Sequence, residues 1–195
     1  MIRIPAPERL AAPVFVLLWS TGFIGAKLGL PHAEPMTFLA LRFLLVTGCF
    51  ALWVWLAGAR LPTRRQAADA ALVGLLLHVG YLGGVFQAIA WGTEAGLSAL
   101  IVGLQPVATT LIAARALGER LVPVQWLGMA LGIAGVALVV LRKLEAGVGD
   151  WRGVGLCVAA LLAISAGSVL QKRRGGETPV LSGTAVQFAA AAGAT

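Results

Sequence analysis

The stretch Gly96 to Leu141 constrains the chain most: two apolar segments of about 20 residues, joined by a short turn that holds Arg115, Glu119 and Arg120. At ~1.5 Å per residue each segment covers a hydrocarbon core of roughly 30 Å, so the pair reads as a transmembrane helical hairpin. Pro106 lies inside the first helix, where it removes a backbone hydrogen bond and frees a carbonyl one turn earlier. Membranes tolerate that only where neighbouring helices or a cavity satisfy the freed group. Gly128, Gly132 and Gly135 put a stripe of small residues along the second helix, a pattern that lets helix backbones approach closely.

The rest of the chain has the same character. Of its residues 59% are hydrophobic and 12% charged, about half the charge of a soluble domain. Six complete apolar segments fall at about 10–30, 36–57, 68–90, 96–116, 122–141 and 153–171, and a seventh begins near Pro179. The predicted class is an all-α polytopic helical bundle. The seventh segment has about 16 of the ~20 residues needed to span when the sequence stops at Thr195, so the sequence reads as part of a longer chain.

The net charge of +7 invites a nucleic-acid reading, but the basic residues are scattered between apolar segments and form no single basic face. They are placed by side instead. With the N-terminus cytoplasmic, ten Lys and Arg lie inside (Arg3, Arg9 and Arg60 among them), three lie outside (Arg142, Lys143 and Arg152), and Lys27 and Arg42 lie within or at the ends of spans. That asymmetry predicts a multi-pass plasma-membrane protein with its N-terminus inside. Trp91, Trp126 and Trp151 sit near segment ends, where an interfacial aromatic belt is expected. Cys49 and Cys157 lie in apolar segments and suggest neither a disulfide framework nor a metal site. No phosphate-loop glycine pattern accompanies the glycine pairs at 25/29, 80/84 and 128/132, which read as packing faces; no ATP site and no cofactor are expected.

The chain also matches itself. An offset of 145 residues sets Leu17 on Leu162, Ser20 on Ser165, Gly22 on Gly167 and Lys27 on Lys172; with no gap it sets Ala40 on Ala185, Arg42 on Gln187 and Phe43 on Phe188. A unit holding five spans enters the membrane from the opposite side in its second copy. Inverted repeats of this kind mark secondary transporters, with a site near the midplane between the halves.

Those residues carry a family resemblance. WSTGFIGAKLGL from Trp19, ALRF from Ala40, AGLSALIVGLQPV from Ala95, the LGERL turn from Leu117 and WLGMALGIAGVALVVL from Trp126, in this order and spacing, resemble the EamA domain of the drug/metabolite transporter superfamily. The resemblance implies a first five-helix domain over 10–141 and the start of a second over 153–195. It further implies a ten-span exporter of small metabolites, amino acids or drugs, with the solute between its halves.

Several intramembrane groups are candidates for binding. Arg42 lies six residues, about 9 Å, below the outer end near Met36, so it either faces a cavity and holds an anionic group or snorkels and bonds helix-end carbonyls. Lys27 has the same two readings. His78 and Tyr81 are spaced i, i+3 and are expected on one face; His78 reads either as a proton relay or, lacking a carboxylate nearby, as an interhelical contact. Gln105 precedes Pro106, where irregular backbone can expose groups to a solute. Trp19 either stacks on a flat substrate or fills the bundle. Glu119 reads as a structural turn residue and Glu94 as a cap for the fourth helix.

Three function classes compete. The leading one is a secondary transporter working by alternating access. The second is a truncated, non-transporting membrane protein whose five-helix domain self-associates into a homo-oligomer. A membrane enzyme would need paired acids, or His with a carboxylate or Cys in reach, and the spans offer none. The expected partners are the lipid bilayer and a small organic solute.

Overall fold

The computed structural model describes residues 6–118, 121–147 and 149–195. It contains helices α1 (Ala6–Gly29), α2 (Pro35–Leu56), α3 (Arg64–Gly74), α4 (Gly84–Ala90), α5 (Ala95–Val102), α6 (Gln105–Leu117), α7 (Pro123–Glu145), α8 (Trp151–Arg174) and α9 (Val180–Ala192), with no strand among the described residues. A π-helical stretch, Leu75–Gly83, joins α3 to α4 without a break. Five helical stretches are long and apolar enough to cross a membrane: Pro35–Leu56, Arg64–Ala90, Ala95–Ala116, Pro123–Glu145 and Trp151–Arg174. The apolar part of α1, Pro13–Gly29, is shorter, as is α9. Every expected segment is therefore helical, with ends within a few residues of those read from the sequence.

Local signals explain the ends. Pro35 and Pro123 open α2 and α7 from the first turn, where a missing N–H costs nothing. Thr63 and Gln66 form a reciprocal capping box at α3: the Gln66 amide donates to Thr63 Oγ1 (3.4 Å) and the Thr63 amide to Gln66 Oε1 (2.9 Å). Asp150 caps α8, its Oδ1 accepting from the Gly153 amide at 2.7 Å. Gly92 and Gly118 follow α4 and α6 with φ of +96° and +70°, a region in which a Cβ would be strained.

The interior forms around α8. It packs on the π stretch, α4 and α6, while α9 fits between α2 and α3. One core cluster centres on Leu39, Phe43, Val85, Phe86 and Ile164, and a second on Ala88, Leu97, Ile101, Val154 and Cys157. Gly80 and Gly84 form a packing face as expected: a Cβ at Gly84 would stand 3.0 Å from Ala163's neighbour on α8, Ala160, and one at Gly80 would stand 2.9 Å from Ala163. The stripe Gly128, Gly132 and Gly135 departs from that reading, since a Cβ at any of them would meet nothing within 4 Å. The stripe faces away from the described helices. Large apolar side chains on α1, α2 and α7 are exposed in the same way, as lipid-facing surface requires.

Two helices deviate from regularity. The fourth span is interrupted at Gly103–Leu104, one turn before Pro106, which then sits in the first turn of α6. The kink expected at Pro106 is thus a break ahead of it, because proline disrupts the turn that precedes it. In the third span the i→i+5 bonding of a π-helix rotates the residues after Leu75 relative to an α-helix. That rotation decides where His78 and Tyr81 point.

Candidate functional site

Trp19, Arg42 and Tyr81 line one cavity of about 170 Å³ between α1, α2 and the third span, together with Gly22, Val85 and Phe86. Trp19 and Tyr81 face each other with ring centroids 6.2 Å apart, and Phe15 meets Trp19 edge-on at 5.0 Å. Gly22 contributes absence: a Cβ there would meet open space. Arg42 is exposed and has no ion pair or hydrogen bond among the described residues. It lies seven residues into α2, about 10 Å from the end carrying the α1–α2 turn, and Tyr81 lies about 14 Å from the neighbouring end at Ala90. The cavity therefore occupies one half of the membrane and reaches toward its middle.

Trp19 also lines a wider cavity of about 720 Å³ with Ser20, Ile24 and Lys27. Lys27 borders a further space, of about 740 Å³, with Thr93 and Glu94. Glu94 stands at the N-cap of α5, but its side chain makes no cap bond there. It pairs with Lys143 at 2.8 Å, since an ammonium offers a carboxylate more than neutral amides do.

His78 and Tyr81 both lie within electrostatic reach of Arg42, but only Tyr81 lines the cavity that Arg42 borders. The wider π turn sends His78 to α9 and α2, where its ring stacks on Phe188 at 4.1 Å and lies 5.7 Å from Phe43. Its buried Nε2 has no hydrogen-bond partner among the described residues. Tyr81, in contrast, belongs to the Arg42 cavity. Gln105 lies apart from both, its Nε2 reaching Ser168 Oγ on α8 at a long 3.5 Å, while Ser168 donates to the Ile164 carbonyl. Glu119, read as a turn residue, lies outside the described residues, as does Arg120.

Sequence reasoning missed Phe86, Gly22 and Phe188. The first two sit in apolar runs with no signal that separates cavity lining from core. Phe188 had one: it matches Phe43 at the 145-residue offset, and the two rings meet at 6.0 Å.

A bundle of membrane-length apolar helices with an arginine lining a cavity between them is the architecture of a polytopic membrane protein. The chain belongs to the EamA-like transporter family, whose pattern matches residues 9–141. It is 30% identical over 162 residues to a probable amino-acid metabolite efflux pump of Salmonella typhimurium, covering 83% of this chain and 52% of that protein. The Escherichia coli protein of the same description is 29% identical over the same length. An uncharacterized inner membrane transporter of Escherichia coli, YedA, is 28% identical over 123 residues, which is 63% of this chain and 40% of that one. The chain spans about half the length of the curated relatives it matches. No solved structure matches it.

Proposed function

We propose that this chain forms the solute-binding half of a secondary transporter that moves small organic molecules out of the cell across the inner membrane. The observation that carries the reading is the convergence of Trp19, Arg42 and Tyr81, from three different helices, on one intramembrane cavity. A charge at that depth costs several kcal/mol on insertion scales and is retained where it has work to do. The efflux-pump description of two relatives supports the direction. The Phe43–Phe188 contact supports an inverted repeat of 10–141 and 153–195, because residues near a two-fold axis touch their own counterparts. Alternating access then follows from rocking one unit against the other.

Cells producing the chain are expected to expel preloaded labelled solutes faster than cells without it, with a rate that collapses when ion gradients are dissipated and survives ATP depletion. Efflux that follows ATP, or none despite protein in the membrane, rules the reading out.

The charge asymmetry supports a cytoplasmic N-terminus. A cysteine replacing Ala146, after α7, is expected to react with a membrane-impermeant maleimide added to intact cells, and one replacing Gly176, after α8, only after lysis. The reverse pattern inverts the topology.

Self-association is the second reading. The open stripe of Gly128, Gly132 and Gly135 favours it, being a surface on which another helix can approach closely.

A further inference from the structure

Among the described residues, the Arg42 cavity is lined by a cation and by no counter-charge. Its other described lining residues are aromatic, aliphatic or glycine, and their polar groups are the Tyr81 hydroxyl and the Trp19 indole N–H. The carboxylate of Glu94, which borders the space next to Lys27, is taken by Lys143. Glu34, at the start of α2, is exposed and outside the lining. A free amino acid brings two charges into such a place. Its carboxylate finds a guanidinium, able to grip it through two parallel N–H bonds. Its ammonium has three donors and no carboxylate to receive them, and an unpaired charge in apolar surroundings is costly.

From this imbalance we infer that the site selects organic monoanions, with a carboxylate on Arg42 and a flat apolar body against Trp19 and Phe86, over the zwitterionic amino acid of the same body. The inference rests on the reading of this cavity as the solute site. At about 170 Å³ the cavity is smaller than the ~300–1,000 Å³ of drug-sized sites, which limits the enclosed body to roughly one ring. Gly22 supplies part of that room, and Lys27, bordering the wider cavity beyond Trp19, adds positive charge on the approach.

Three probes with one ring and different charges test this: 3-phenylpropanoate, phenylalanine and phenethylamine, measured by equilibrium binding to the intact chain in lipid nanodiscs at pH 7. The acid is expected to bind at least tenfold more tightly than phenylalanine, and the amine not above background. Arg42→Gln should lower binding of the acid at least tenfold, with Arg42→Lys recovering part of it. Gly22→Leu, which leaves Arg42 in place and fills the ring space, should abolish it. Phenylalanine binding as tightly as the acid, with both lost in Arg42→Gln, overturns the selectivity and leaves the solute site standing. Binding of none of the three by a chain that retains its helical circular dichroism overturns the inference and the solute site together.

Discussion

Gly74→Val is expected to deplete folded protein from the membrane. Gly74 closes α3 and is buried against α9. A Cβ there would run into the Gln187 carbonyl and stand 2.6 Å from its Cα and 2.8 Å from its carbonyl carbon. All three are backbone atoms, so no rotamer change relieves the clash, and the whole of α9 has to withdraw from α3. Overpacking typically costs ~1–3 kcal/mol where side chains can give way; here the loss is expected at or above the upper end, because α9 also carries Phe188 away from Phe43 and His78. Gly132→Val is the matched control, since its Cβ would meet nothing within 4 Å. Thermal melting followed by fluorescence-detected size exclusion compares them. Equal melting of Gly74→Val and the parent removes the close α3–α9 approach.

Arg42→Gln is expected to abolish efflux while leaving membrane abundance unchanged. The side chain is exposed and makes no bond among the described residues, so the bundle loses no partner. Removing a charge from within a span makes insertion easier, by up to ~2.5–3.5 kcal/mol at a helix centre. A bound anion, by contrast, loses charge-assisted hydrogen bonds worth about 1.5–3 kcal/mol each, roughly ten- to a hundredfold in affinity. Glutamine is the apt replacement because Gln187 holds the matching place at the 145-residue offset. Efflux and quantitative blotting on the same cells separate the two outcomes: efflux lost with abundance means a structural Arg42, and efflux retained removes it from the site.

Helix count and boundaries were legible in the sequence because the solvent imposes them. A bilayer demands about 20 apolar residues per span, and Pro and Gly punctuate the ends. The break in the fourth span was legible in kind, through Pro106, and displaced by a turn in position. The π stretch was not legible. LLLHVGYLG is as apolar as any α-helical span, and i→i+5 bonding leaves no mark in composition. Because that stretch sets the directions of His78 and Tyr81, the sequence brought Trp19, Arg42 and Tyr81 forward as candidates without showing that they converge on one cavity or that His78 stacks on Phe188. The fate of Glu94 was hidden for another reason: Lys143 lies 49 positions away in the chain. A glycine stripe, finally, reads the same whether a helix covers it, as at Gly80 and Gly84, or not, as at Gly128 and Gly132.

At the Arg60 end of the bundle, Arg174 Nη1 meets Asp69 Oδ1 at 2.8 Å, Gln66 Nε2 donates to the Glu177 carbonyl at 3.0 Å, and Ser182 Oγ donates to the Arg60 carbonyl at 2.7 Å. Each bond has direction and a fixed length, whereas apolar flanks slide past one another at little cost. The first ties the end of α8 to α3, the second ties the α8–α9 turn to α3, and the third, from Ser182, acts as an index pin for α9 itself. A slip of one residue along its axis, about 1.5 Å, would lift Phe188 off His78 and drive a side chain into the hollow at Gly74. The order of the rings in the dry interior is thus kept by a polar contact at the water's edge, less than two turns from Phe188 along α9.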